Sequence, residues 1–285
     1  SKFNHEVTTA GKAGPNRIPT AVIIWMSKFL DSLEKISINA PLPLGFGVRR
    51  EQRPPGMALI VQISSDHDSV CEGVSDLSPE AVLLSGIDDL AALKKIAPGL
   101  PSIPWGLSPG TITEDSVNGF KEAGCDMLAF GLADTPVSAI NSDEMARVLC
   151  LDPSADERQL RAINPLPVDV VLIDVTSQSG TWTLGDLTNI TAISSRVNKY
   201  ILVSISEPPG AKDLKVLRDA GVHGLVVDAG SVSMDSLSKM KSDLQEMPRP
   251  QPGRKGRTAA VLPSSVFAVD RAPAPEEPDE DDDDE

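Results

Sequence analysis

An α/β chain folded as a (β/α)8 barrel is what this sequence predicts, and three observations predict it. Eight short apolar runs of strand type start at residues 58, 81, 103, 126, 147, 169, 201 and 223, so most intervals are 21–23 residues. A segment of helical length follows each run, the alternation that builds a parallel sheet. Eight such units is the number that closes a barrel. A doubly wound open sheet shares the alternation and stands as the alternative. A leucine-rich solenoid has a similar period, but its LxxLxLxxN pattern is absent.

The elements follow in order. Residues 1–17 are polar with Gly and Pro, and read as a flexible N-terminus. Residues 19–36 form an amphipathic helix: Val22, Met26, Phe29, Leu33 and Ile36 recur at helical spacing, with Lys28, Asp31 and Lys35 opposite. Pro19 suits its first turn. The helix is expected to pack on the main domain and to form one unit with it, 18–247. PLPLGFGV (41–48) reads as a short extra strand and RREQRPPG (49–56) as a turn.

The strands are ALIVQIS (58–64), AVLLSG (81–86), IPWG (103–106), DMLAFG (126–131), RVLCLD (147–152), DVVLID (169–174), ILVSIS (201–206) and HGLVVD (223–228). Helical patterns fill 88–97, 114–124, 155–163, 184–197, 211–221 and 233–247, while the connections after the first and fourth strands are weaker helices. The clearest unit is 201–230, a strand, a short helix ending in glycine, and a second buried strand. Trp105 is expected to fill core.

The tail, 248–285, reads as disordered. PRPQPGRKGR (248–257) is a basic linker and 258–269 a short apolar island. The acidic end repels itself and has nothing apolar to bury. The island is a candidate arm for a protein partner.

Charge narrows the partners. The formal net charge is −15, with −9 in residues 270–285 and +4 in 249–269, which leaves the body at −10. An acidic body disfavours nucleic acid and anionic membranes. No run of 18 apolar residues marks a spanning helix, and AVIIWM (21–26) lacks the flanks of a signal peptide. Three cysteines without a CxxC argue against a disulfide framework, and a reducing, cytoplasmic setting is expected. The oligomeric state is not legible.

In a barrel the C-terminal strand ends carry the site and the N-terminal ends serve stability. Asp126, Asp169 and His223 open strands and fall on the stabilising face. The opposite face offers Asp66, His67, Asp68, Ser85, Ser108, Asp134, Asp152, Asp174, Ser206, Glu207 and Asp228. No lysine stands at a strand end, which disfavours Schiff-base chemistry, and no arginine is there to clamp an anion. GxSxG, HExxH and Walker patterns are absent. A Ser/His/Asp triad would need His67.

Carboxylates converging from several strands suit a hard divalent cation, Mg²⁺ or Mn²⁺, and the expected metal set is Asp174, Asp228 and Asp152. Asp174 and Asp228 each close an apolar strand, where an unpartnered charge is costly. Bonds to the adjoining loop amides are the plainer alternative. Asp152 precedes Pro153, the pattern of a helix N-cap followed by proline. The catalytic candidates are Asp174 and Asp228, assisted by Glu207 or His67. The longest connection, VTSQSGTWT (175–183), is a candidate lid with Trp182 as a stacking face. The other connections are short, so a small ligand is expected.

FKEAGCDMLAFG (120–131) and VLRDAGVHGLVVDAG (216–230) resemble the helix, alanine-glycine, strand junctions of aldolase-type and ribulose-phosphate-binding TIM barrels. The resemblance implies that fold over roughly 58–247. It implies phosphate binding near the seventh and eighth loops, which here falls on Gly230, Ser231 and Ser233 of DAGSVSMD (228–235). The seventh loop, SEPPGAKD (206–213), departs from the pattern, having no paired glycine. Fold alone does not give function. Two expectations therefore stand: a small barrel enzyme, a metal-assisted lyase or isomerase, or a catalytically degenerate barrel that serves as a scaffold. A flavin-binding barrel is a more distant third.

Overall fold

A computed structural model describes residues 27–37, 54–64, 71–90, 92–93, 103–140, 144–176 and 181–248. Eight parallel strands close a barrel in sequence order: β1 (Ala58–Ser64), β2 (Ala81–Ser85), β3 (Trp105–Ser108), β4 (Met127–Phe130), β5 (Ala146–Leu151), β6 (Val170–Asp174), β7 (Tyr200–Ile205) and β8 (Gly224–Asp228). β8 pairs with β1, Gly224 beside Ala58 through Asp228 beside Gln62. This is the closed barrel, not the open sheet.

Seven α-helices are described: α1 (Lys28–Ser37), α2 (Cys71–Leu77), α3 (Glu114–Glu122), α4 (Glu157–Ile163), α5 (Leu184–Ser194), α6 (Ala211–Asp219) and α7 (Met234–Glu246). Helical residues at 90 and 92–93 follow β2. Among the described residues between β4 and β5 the helical segment is a 3-10 turn, Val137–Ile140. The predicted 19–26 part of the first helix, the strand at 41–48 and the tail beyond 248 lie outside the described residues.

Strand boundaries agree with expectation to within one or two residues. The largest difference is β3, which starts at Trp105 rather than Ile103. Pro104 has no N–H to give to the ladder, although its carbonyl accepts from Val82 N at 2.9 Å.

Alternation along each strand builds two apolar layers. One face, including Ile60, Leu83, Met127, Val148, Leu172, Leu202 and Val226, fills the barrel interior. The other, including Leu59, Val61, Leu84, Leu107 and Val203, packs beneath Phe120, Leu160, Ile190, Leu214 and Leu237 of the helices. Trp105 belongs to this outer layer, 7 % exposed. At Gly106 a Cβ would lie 2.0 Å from Met127 Cγ, so the inner face has room only for glycine there.

α1 covers the N-terminal end of the barrel. Phe29 and Leu33 are fully buried and join the interior cluster. Asp126, at the foot of β4, holds the helix start: its carboxylate accepts from Ser27 Oγ at 2.8 Å, Lys28 N at 2.9 Å and Phe29 N at 2.8 Å. A carboxylate suits the positive end of a helix.

The same face carries other fixed polar groups. Arg147 forks onto Asp169, Nε to Oδ2 and Nη2 to Oδ1, both at 2.9 Å. Lys241 of α7 meets Glu80 Oε1 at 2.5 Å, and Glu80 Oε2 accepts from Leu59 N at 2.8 Å. His223 Nδ1 accepts from Ile201 N at 3.1 Å, and its ring meets Tyr200 edge-on at 5.3 Å.

The two alanine-glycine junctions have a common geometry. Gly124 and Gly221 adopt φ of 91° and 97°. Gly124 N donates to Lys121 O and Cys125 N to Phe120 O; Gly221 N donates to Arg218 O and Val222 N to Leu217 O. Both are Schellman caps, in which glycine supplies the left-handed residue that turns a helix into the next strand.

Candidate functional site

The site is built from strand parity. Inward positions low in the barrel are apolar; one step higher the same faces turn polar. β1 places Gln62 there, β2 Ser85, β5 Cys150, β6 Asp174, β7 Ser204 and β8 Asp228. Asp174 lies beside Ser204 in the β6–β7 register, Ser204 beside Val226, and Asp228 beside Gln62. Gln62 Nε2 donates to Ser85 Oγ at 3.2 Å. These side chains line the C-terminal mouth, among them two register pairs, Asp174 with Ser204 and Asp228 with Gln62, with Val226 standing beside Ser204 between them.

Asp174 is exposed and fixed by its own loop. Thr176 N donates to Oδ1 at 2.9 Å and Thr176 Oγ1 to the same oxygen at 2.7 Å. Asp228 is fixed similarly, with Gly230 N on Oδ1 at 3.4 Å and Ser231 Oγ on Oδ2 at 2.6 Å. The plainer alternative, bonds to adjoining loops, therefore describes how both carboxylates are held.

Asp152 is not the helix cap expected of it. It accepts from Ser154 N at 2.7 Å and Ser154 Oγ at 2.6 Å. The hydroxyl, then the amide, of Ser154 holds its carboxyl below the usual range. The cap is Asp156, which accepts from Gln159 N at 2.7 Å, and α4 begins at Glu157. An Asx turn at Asp152–Ser154 takes the carboxylate out of reach of the helix amides.

Among the described residues, no group of three or more His, Cys, Asp or Glu side chains is placed to hold one ion. Asp152, Asp174 and Asp228 are thus not gathered as a trio, because each is turned into its own loop. Glu207 is exposed on the loop after β7. His67 lies outside the described residues, as do Asp66, Asp68 and residues 177–180. Trp182 is partly buried against the outer core.

Ser233 caps α7, accepting from Ser236 N at 3.3 Å, and Ser231 is committed to Asp228. Of the eighth-loop donors that a phosphate would use, Gly230 N and Ser231 Oγ face the Asp228 carboxylate and Ser233 Oγ faces Ser236 Oγ. Cys150 has its thiol pushed up to about 11, by burial first and then by the charge of Asp174. It stays protonated near neutrality, unsuited to nucleophilic attack.

Gln62, Cys150 and Ser204 were missed by reading strand ends alone. Each is the one polar residue inside an apolar run, two positions before the expected site residue or at equivalent height. Parity counted back from Asp174 and Asp228 would have found them.

No family model matches the chain, and no curated protein matches its sequence. Solved structures do match in fold. Tryptophan synthase from M. tuberculosis in an open form shares 12 % identity at a TM-score of 0.54, over 79 % of this chain and 100 % of that one. A structural-study protein from Aquifex aeolicus VF5 shares 13 % at 0.53, over 79 % and 100 %. A mutant tryptophan synthase alpha-subunit from the hyperthermophile Pyrococcus furiosus shares 13 % at 0.50, over 67 % and 97 %. The chain shares with these structures the fold of a closed (β/α)8 barrel. Among the described residues no helix is long and apolar enough to cross a membrane.

Proposed function

We propose that the chain is a barrel enzyme of lyase or isomerase type acting on a small metabolite at its C-terminal mouth. Asp174 is the general base and Asp228 the second carboxylate. One observation carries this. Both donors of Thr176 fall on Oδ1 of Asp174, and no described residue donates to Oδ2. A base needs a fixed position and a free lone pair within reach of the proton it takes, and this arrangement supplies both. Glu207 and His67 stand as assisting groups, and 176–182 as the gate.

A Mg²⁺ or Mn²⁺ ion keeps most of its water when one or two carboxylates hold it. The chemistry of Asp174 and Asp228 fits such an ion, which would polarise a substrate oxygen. The likeness to tryptophan synthase is of fold and carries no substrate across.

The test is a thermal-shift panel on the full chain with Mg²⁺, Mn²⁺, phosphate, FMN and sugar phosphates, run beside Asp174→Ala. Ligands that bind the folded state raise the midpoint. A rise lost in Asp174→Ala supports the enzyme. A rise with phosphate or FMN that survives in the mutant would move the site to Gly230, Ser231 and Ser233.

A second reading is favoured by Asp228, whose two oxygens are both taken by its own loop. It is a degenerate barrel that holds a protein partner through residues 258–285. Pull-downs with and without 249–285 decide it: identical partner sets would remove the arm's role.

A further inference from the structure

The helices run back from the mouth, so their first turns share its face. Those turns carry Glu114 in α3, Glu157 in α4, Asp186 in α5, Asp213 in α6 and Asp235 in α7. Among the described residues the bases in those turns are Arg158 and Lys212, both exposed. On the opposite face Arg147 and Lys241 are paired with Asp169 and Glu80, and Lys199 and Asp126 share that face. Glu157 is paired with Arg161 and Arg196, but the other acids leave the mouth negative, and a cleft lined by one sign of charge concentrates ligands of the other.

Ser204 independently points to a ligand. It is 8 % exposed and lies on the inward face of β7, two residues above Leu202 of the interior cluster. Its Oγ has no hydrogen-bond partner among the described residues. No side-chain oxygen sealed from solvent is left unpaired there, so the hydroxyl is the part of Ser204 that opens on the mouth. A polar group so nearly buried is costly to leave unmatched. Asp174 is its register neighbour, about 4.8 Å away at the Cα level.

Resting on the proposed function, we infer that the ligand class is an organic amine, bound as its ammonium by Asp174 Oδ2 and Ser204 Oγ with Asp228 completing the shell. An ammonium has three donors and no acceptor. One carboxylate oxygen, one hydroxyl oxygen and a second carboxylate match its three donors in number and oppose its charge in sign. Among the described residues no three metal-ligating side chains gather to strip a divalent ion of its water, whereas an ammonium also uses the hydroxyl of Ser204. A phosphate would face Asp228, which holds Gly230 N and Ser231 Oγ.

The test is calorimetric titration of the full chain at low salt with ethanolamine, 1,4-diaminobutane, MgCl2 and inorganic phosphate. The variants are Asp174→Asn and Ser204→Ala, with Glu122→Gln, exposed at the far end of α3 from the mouth, as control, each checked for folding by its thermal midpoint. The expected result is amine binding, weakened about tenfold or more by Asp174→Asn and severalfold by Ser204→Ala, with the control variant unchanged. No heat from either amine up to about 10 mM, beyond ordinary enzyme affinities, overturns the inference. Equal binding by wild type and Asp174→Asn also overturns it, as diffuse attraction to an acidic face. Preference for Mg²⁺ or phosphate that is lost in Asp174→Asn overturns the amine class but keeps the catalytic reading; ligand binding indifferent to Asp174 removes both.

Discussion

Asp174 acts on more than its own loop. Its charge is the second cause, after burial, of the raised Cys150 thiol. Alkylation by iodoacetamide at pH 7.5, followed by mass spectrometry, should be slow at Cys150 relative to a free thiol. It should quicken in Asp174→Asn. His223 shows a second coupling. Burial lowers its pKa below 6.5, against a smaller opposing effect of the Gly221 backbone. Its neutral Nδ1 is the acceptor for Ile201 N. Because the folded state resists the proton more than the unfolded chain, the stability is fully present above 6.5 and declines as pH falls below it. Urea midpoints at pH 7.5 and 5.5 should differ in the wild type and differ less in His223→Asn.

At the level of elements, the two Schellman junctions can be told apart by one substitution. Both glycines have positive φ, which strains any L side chain by roughly 1–2 kcal/mol. At Gly124 the nearest atom to an added Cβ is Trp105 Cζ2 at 4.0 Å, while at Gly221 it is Ser194 Cβ at 2.8 Å. Gly221→Ala should therefore destabilise more than Gly124→Ala in denaturant melts, and equal losses would mean that backbone strain is the whole cost. These junctions were legible because a helix stop needs glycine at one position. The eight strands were legible because buried parallel strands read as unbroken apolar runs. The site was less so. An apolar run hides which of its faces turns inward, so Ser204 and Cys150 passed as strand filler. Asp152 passed as a helix cap because Pro153 imitates a first turn, whereas Asp156, four residues after Asp152, does the capping. The 3-10 turn at 137–140 defeated a helix expectation for want of any apolar period.

For the molecule as a whole, charge and topology are aligned. Strand ends and helix starts meet on one face, and both carry acids, the second in keeping with the helix dipole. That face repels itself, and salt screens such repulsion over a Debye length of roughly 8–10 Å. Raising NaCl from near zero to about 0.15 M should lift the thermal midpoint. Exposed pairs such as Lys121–Glu144 weaken little by comparison, since surface ion pairs contribute at most about 1 kcal/mol. A midpoint that falls with salt would show that attraction across the surface outweighs the crowding at the mouth.

The hold of Asp126 on α1 sets an order of events during synthesis. The two groups lie 98 residues apart at Lys28. A ribosome adding roughly 5–20 residues per second makes the partner roughly 5–20 s after the helix. Phe29 and Leu33 are made before the strands that bury them, and barrel closure through β1 and β8 comes later still. The apolar face of α1 is thus synthesised well ahead of its seat.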